Sequence, residues 1–169
     1  MSKIIDFYFD FISPYSYIAY KKIKSIENKN GVDFNYKPIL LGGLHKLGKI
    51  TAPAFNERKM KNMKNDCEII ANKNNISFKW NEKFPINTLY LMRGFISIEA
   101  NVNEILDNCK IDKKKFFEDI SNQKVKDELK SLTDKAFQND VFGAPTFIVN
   151  NKLFWGQDRL EYALEECVS

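Results

Sequence analysis

Residues 9 to 20 read FDFISPYSYIAY, and Ser13 and Ser16 stand there at the spacing where a thiol-disulfide enzyme carries two cysteines. Two hydroxyls cannot exchange a disulfide, because that reaction needs a thiolate attacking sulfur. A serine at the start of a helix can instead donate a hydrogen bond to a thiolate brought in by a ligand, and helix N-termini lower the pKa of a sulfur held there. Ser13 directly precedes Pro14, so it also suits a plain N-cap role worth about 1 kcal/mol. Both roles stay open on this segment alone. Ser16 reads as an ordinary first-turn serine.

Two later segments bear on the choice. VFGAPT, residues 141 to 146, sets Pro145 just ahead of a strand. A cis Ala144–Pro145 bond there would turn the Ala144 N–H and C=O outward beside Ser13, free to pair with an extended peptide-like ligand as an added strand would. An ordinary trans turn is the alternative. FWGQDRLE, residues 154 to 161, sets Gly156, Gln157 and Asp158 at the start of the last helix, where an acid meets the helix dipole favourably. Asp158 is then either a first-turn acid or a counter-ion for a ligand's ammonium group.

Other reactive residue types carry less. The lone His45 lies in GGLHKLGK with no partner nearby in sequence, and reads as a surface or loop histidine. Cys67, Cys109 and Cys167 are odd in number and far apart, which fits neither a zinc site nor a redox dithiol. Cys67 and Cys167 fall on apolar helical stripes, and all three read as buried free thiols.

The elements that must position these residues follow from periodicity. KIIDFYFDF is a strand with both faces largely covered, and Tyr15, Ile18, Ala19, Ile23 and Ile26 recur at helical spacing, which predicts a helix over 14–28. NKNG at 28 to 31 ends it, with Gly31 as a left-handed cap. VDFNYKPILL alternates as a second strand, parallel to the first. From 56 to 138 the pattern is helical, with stripes at Met60, Met63, Cys67, Ile70 and Ala71, at Leu91, Met92, Phe95 and Ile96 after caps Asn87 and Thr88, at Val102, Ile105, Leu106 and Cys109, at Phe116, Phe117 and Ile120 after Asp112, and at Val125, Leu129, Leu132 and Ala136. TFIVN and KLFW form a hairpin across Asn150 and Asn151, and a last helix runs over 157–167. The order is βαβ, a helical block, then ββα. The expected class is α/β with the thioredoxin topology: a single domain over 1–169, its core in 1–54 and 139–169, with an inserted helical subdomain at 55–138.

Composition is consistent with one such unit. The 169 residues are 44% hydrophobic, enough for a substantial core. A net charge of +4 comes from 26 basic and 22 acidic residues that are interleaved along the chain, which argues for a solvated surface and against a nucleic-acid partner. No apolar run approaches the ~20 residues that span a bilayer, and MSKIIDFYFDF has no signal-peptide pattern. A cytoplasmic protein with no membrane partner is the expectation.

Five motifs in this order, FYFDFISPYSYIAY, KPILLGGLHK, FPINTLYLMRG, VFGAPTFIV and FWGQDRL, resemble the 2-hydroxychromene-2-carboxylate isomerases and kappa-class glutathione transferases, a branch of the DsbA-like thioredoxin superfamily. The resemblance implies glutathione as cofactor and a homodimer. It places the family's catalytic serine on Ser13, with Pro14 and Tyr15 lining the same loop. Ala144, before the family's cis proline at Pro145, would pair with the cysteinyl part of glutathione, Gln157 and Asp158 would hold its γ-glutamyl end, and Lys59 falls near its glycyl carboxylate. The implied reaction is addition of the thiolate to an aromatic or otherwise unsaturated carbonyl substrate, bond rotation and elimination, or the related transfer. Two departures stand out: GKITAP puts Ile50 where the family has a glutathione-contacting asparagine, and the helical block is shorter by roughly 30 residues, a loss large enough to remove elements that line a site. A non-catalytic glutathione- or peptide-binding module is the other reading, and no metal site is expected.

Overall fold

The computed structural model describes residues 3–27, 31–100 and 113–169. Strand β1 (Ile4–Phe9) leads into helix α1 (Pro14–Ile26) and strand β2 (Asp33–Pro38). Helices α2 (Leu41–Leu47), α3 (Glu57–Lys73), α4 (Leu89–Ala100), α5 (Lys113–Ser121) and α6 (Gln123–Gln138) follow. Strands β3 (Thr146–Val149) and β4 (Lys152–Trp155) and helix α7 (Leu160–Val168) close the chain. The sheet runs β2-β1-β3-β4, with β1 parallel to β2 and antiparallel to β3, and β3 antiparallel to β4. This is the thioredoxin topology, with the β3–β4 turn made by Asn150 and Asn151 at φ of 50° and 61°, as a two-residue hairpin requires.

Several expectations are corrected in detail. Helix α1 ends at Ile26, capped by the Glu27 N–H on the Ile23 carbonyl, so its cap is Glu27 and not Gly31, which has φ 62° ahead of β2. The segment that carries His45 is not loop but α2. The helical pattern also breaks after Lys73, since residues 74 to 88 are irregular. Asn87 caps α4 through its Oδ1 and the Leu89 N–H, whereas Thr88 points elsewhere. The stripe Val102, Ile105, Leu106 and Cys109, the cap Asp112 and the helix end at 28–30 lie outside the described residues. In the last segment a 3-10 turn, Gln157–Arg159, precedes α7, so Gln157 and Asp158 stand ahead of that helix.

One core joins sheet and helical block: Ile5, Phe7, Phe9 and Phe147 from the strands, Ala19 and Ile23 from α1, Met92 and Ile96 from α4, Leu129 from α6, and Leu160 and Ala163 from α7. Gly94 lets α5 approach α4, because a Cβ there would stand 2.8 Å from the Phe116 ring.

The end of β1 is fixed by Asp10, which is 1% exposed. Its Oδ1 accepts from the Ile12 N–H at 3.0 Å and the Thr88 hydroxyl at 2.7 Å, and its Oδ2 accepts from the Leu41 N–H, at the start of α2, at 2.8 Å. Burial raises the Asp10 pKa above the ordinary 3.8, outweighing the three donors.

Two outcomes follow. Gly94→Ala gains about 1 kcal/mol of helix propensity but overpacks the α4–α5 contact at about 1–3 kcal/mol, so denaturant unfolding should show net loss of about 1 kcal/mol. For Asp10, the folded chain holds the proton above pH 3.8 while the unfolded chain has released it, so this group's contribution to stability falls as pH rises through that window. The stability margin of wild type over Asp10→Asn should therefore shrink from pH 3.8 upward and then level off. A margin that grows with pH would put the Asp10 value below 3.8 and contradict the burial argument.

Candidate active site

Ser13 is the N-cap of α1, where its backbone is extended and its Oγ accepts the Ser16 N–H at 3.1 Å. The missing N–H of Pro14 removes one donor that would otherwise lack a partner there. The Ser13 N–H donates to the Asp10 carbonyl at 3.0 Å, so the serine is registered directly to the end of β1. Its hydroxyl donates to the Ala144 carbonyl at 2.8 Å, and the side chain is 6% exposed.

The Ala144–Pro145 peptide bond is cis, as is Phe84–Pro85. The outward-facing pair expected at Ala144 is therefore half engaged: its carbonyl holds the Ser13 hydroxyl, while its N–H has no hydrogen-bond partner among the described residues. The Pro145 carbonyl accepts the Gly156 N–H at 3.0 Å, which ties the turn to the end of β4. Gly143 keeps Trp155 close, since a Cβ at 143 would lie 2.6 Å from the indole nitrogen.

These residues open onto a cavity of about 650 Å³, within the range of small-molecule sites. Ser13, Pro14 and Tyr15 form one side, Gly143, Ala144 and Trp155 another, and α2 with the segment from Ile50 to Phe55 a third. Ile50 lies in that wall, so the departure from the family's asparagine is a departure in the site itself. The wall is mostly apolar; the titratable groups among its described residues are Tyr15, His45 and Lys46.

His45 is thus neither a loop nor a plain surface residue. It sits half-buried on α2 in the cavity wall, where burial lowers its pKa below 6.5 against the attraction of Asp10. Tyr15 donates its hydroxyl to Asp66 Oδ2 at 2.7 Å, and burial and that carboxylate raise its pKa, so it remains a phenol. Cys67 is fully buried and its thiol is pushed up to about 12, first by burial and then by Asp66 and Glu68. An inert structural thiol fits that position; Cys167 is half-buried, and Cys109 lies outside the described residues.

The remaining sequence candidates stand apart from the cavity wall. Gln157 is buried, and its Oε1 accepts from Lys22 Nζ at 2.6 Å. Lys22 lies nine residues beyond Ser13, about 13 Å along α1, and burial lowers its pKa against the pull of Glu161 and Asp158. Asp158 is exposed and paired with Arg159 at 3.1 Å. Lys59 is an exposed residue in the first turn of α3. Sequence reasoning missed Asp10, His45 and Lys22. Asp10 carried one signal, an acid at the end of a strand otherwise buried on both faces, but its partners at 41 and 88 are distant in sequence.

Comparison with known proteins places this geometry in a family. The DSBA-like thioredoxin domain matches residues 4–103 and 96–167. A 2-hydroxychromene-2-carboxylate isomerase of Sphingobium xenophagum is 30% identical over 189 residues, covering 96% of this chain and 96% of that protein. A segment is 46% identical over 52 residues to glutathione S-transferase kappa 1 of Caenorhabditis elegans, 30% of this chain and 23% of that one. Among solved structures, a 2-hydroxychromene-2-carboxylate isomerase superposes with a TM-score of 0.81 at 24% identity, covering 98% of this chain and 94% of that one, which supports the fold. With its β1–α1 serine, its cis turn before β3 and this likeness along its length, the chain belongs to the DSBA-like thioredoxin family, in the branch of the 2-hydroxychromene-2-carboxylate isomerases and kappa-class glutathione transferases.

Proposed function

We propose that the chain is a glutathione-dependent isomerase of the 2-hydroxychromene-2-carboxylate isomerase type, or a kappa-type transferase, acting on a small aromatic or unsaturated carbonyl compound. The observation that carries this reading is Ser13, a buried hydroxyl at a helix N-terminus in the wall of a large apolar cavity whose described lining has no cysteine. In the proposal the core of 1–54 and 139–169 holds the thiol, the insertion of 55–138 covers it, and the protein works as a cytoplasmic homodimer.

The residues fit a thiol best at its sulfur end. Ser13 supplies a hydroxyl, α1 supplies N-terminal dipole, and the free Ala144 N–H suits a peptide carbonyl. When bound, glutathione supplies a thiolate that adds to an electron-poor double bond and leaves again. Ser13 has one proton, which now rests on the Ala144 carbonyl. Turning it to a sulfur releases that carbonyl to accept a ligand N–H, so one protein hydrogen bond is exchanged for two to ligand. The amide nitrogen of Gln157, whose oxygen Lys22 already holds, and the Asp158 carboxylate are the groups proposed for the γ-glutamyl end, and Lys59 and Pro145 complete the family's set. Phe55, Phe142 and Trp155 give the cavity an apolar wall against which a flat unsaturated compound can pack.

One observation favours the second reading, a non-catalytic glutathione- or peptide-binding module: an isoleucine, Ile50, occupies the cavity wall where the family places an asparagine. Calorimetry with glutathione, with the bound thiol titrated by ultraviolet absorbance, separates the cases. Wild type should bind at millimolar concentration or below, and Asp158→Ala should bind several-fold more weakly. Ser13→Ala should raise the bound thiol's pKa by roughly one unit, the worth of a hydrogen bond to a charged group. No uptake by wild type overturns the cofactor; an unchanged thiol pKa in Ser13→Ala overturns the role of Ser13; binding without turnover over a panel of unsaturated carbonyl compounds leaves the binding module.

A further inference from the structure

A second cavity, of about 570 Å³, lies across the first turn of α1 from the thiol cavity. Ser13 borders both, but its hydroxyl is committed to Ala144 on the other side. The walls here are rings: Phe7, Phe9 and Phe11 from β1 and its end, Tyr17 and Tyr20 from α1, Tyr36 from β2 and Phe95 from α4. They are already arranged in mutual edge-to-face contact, with Phe9 and Phe95 at 5.1 Å, Phe9 and Phe11 at 5.6 Å and Tyr20 and Tyr36 at 6.3 Å between centroids. Such a frame offers ring faces and edges to another flat aromatic group.

The polar content of the cavity is small and specific. Ser16 borders it, is 3% exposed, and its hydroxyl has no hydrogen-bond partner. Leaving such a group unsatisfied costs free energy that a ligand oxygen would recover. Rotation about χ1 is the freedom by which this hydroxyl would turn to a ligand oxygen, and serine tolerates all three staggered positions better than bulkier side chains. The charged groups in the lining are Asp10 and Lys24. Asp10 already takes three donors, and Lys24 is paired with Glu27. An anionic ligand would meet the Asp10 carboxyl with no free cation among the described residues of the lining to offset it.

We propose that this cavity is a second binding site, separate from the thiol site, for a neutral aromatic compound bearing one hydroxyl, with the rings of β1, α1, β2 and α4 enclosing the ring system and Ser16 Oγ hydrogen-bonding the hydroxyl. The site does not depend on glutathione use. Its occupant differs in charge from any carboxylate substrate of the neighbouring cavity.

Three probes of one ring system test it on the whole chain by fluorescence titration and calorimetry: 1-naphthol, naphthalene and 1-naphthoate. Wild type should bind 1-naphthol roughly five-fold more tightly than naphthalene, the worth of one net hydrogen bond, and 1-naphthoate more weakly than both. Ser16→Ala should bring 1-naphthol to the naphthalene level and leave naphthalene unchanged. Because the deleted oxygen has no partner, the unfolding midpoint of Ser16→Ala should not fall. Tyr20→Trp, which fills the cavity from α1, should abolish binding of both, and saturating glutathione should leave 1-naphthol affinity within two-fold. Equal affinity for 1-naphthol and naphthalene in wild type, an unchanged preference in Ser16→Ala, preference for 1-naphthoate, or competition with glutathione each overturns the proposal. The wild-type ranking of the three probes decides the matter even should a variant fail to fold, and failure of glutathione to bind would leave it untouched.

Discussion

A carboxyl group taken out of water costs several kcal/mol unless its lone pairs are met, and Asp10 meets that cost by drawing donors from three separate stretches of chain. The Ile12 N–H, the Leu41 N–H and the Thr88 hydroxyl converge on it. The geometry of the reactive corner descends from this convergence. Ile12 is in the turn that carries Ser13, Leu41 begins the helix that brings His45 to the cavity wall, and Thr88 precedes α4, whose Phe95 closes the aromatic cavity. Because the Asp10 carbonyl also takes the Ser13 N–H, one residue sets both where the helix starts and what stands around its first turn.

The hydroxyl of Ser13 is fully used without a ligand, accepting from the Ser16 N–H and donating to the Ala144 carbonyl. That arrangement is better suited to a thiolate than an idle hydroxyl would be. A bond to a neutral carbonyl is worth about 0.5–1.5 kcal/mol net, and a bond to a charged group about 1.5–3, so the exchange runs toward sulfur once an anion is present. The same hydrogen bond holds the turn at Pro145 against α1, and with the Pro145–Gly156 pairing it carries register from the helix through β3 to the end of β4. Orientation is in place before any ligand arrives.

How much of this could be read from the residues depends on the range of the interactions. Strands, α1 and the hairpin were legible because period-2 and period-3.6 patterns are local, and Ser13 and Pro145 were legible because a cap before Pro14 and a proline before a strand are local chemistry too. Helix α2 was not, because Gly42 and Gly43 weigh against a helix that tertiary contacts then impose: the Leu40 N–H on Thr133 Oγ1 and the Leu41 N–H on Asp10 anchor its start. His45 was misplaced for the same reason. Gln157 and Asp158 were expected at the start of the last helix and stand in the turn ahead of it; the half-buried Lys22 that holds Gln157 comes from α1, 135 residues away, and no local pattern announces such a pair. Ser16 looked inert by position, and only the packing of seven rings around it shows its hydroxyl to be without a partner.

The helical block bears on both cavities, with Met63 of α3 lining one and Phe95 of α4 the other. The two segments of the family match, 4–103 and 96–167, meet inside this block, at the end of α4. Met92 and Ile96 of α4 and Leu129 of α6 pack in one core with Phe7 and Phe147 of the sheet. Phe11, Tyr17 and Tyr20 are each about half exposed beside Ser16, an expense of apolar surface in water at about 25 cal/mol per Å². Rings kept so exposed at the mouth of a cavity, next to a hydroxyl with no partner, are poorly explained by folding stability, because burying them would stabilise the fold more. Exposure at this position therefore points to binding, on the face of α1 opposite the hydrogen bond from Ser13 to Ala144.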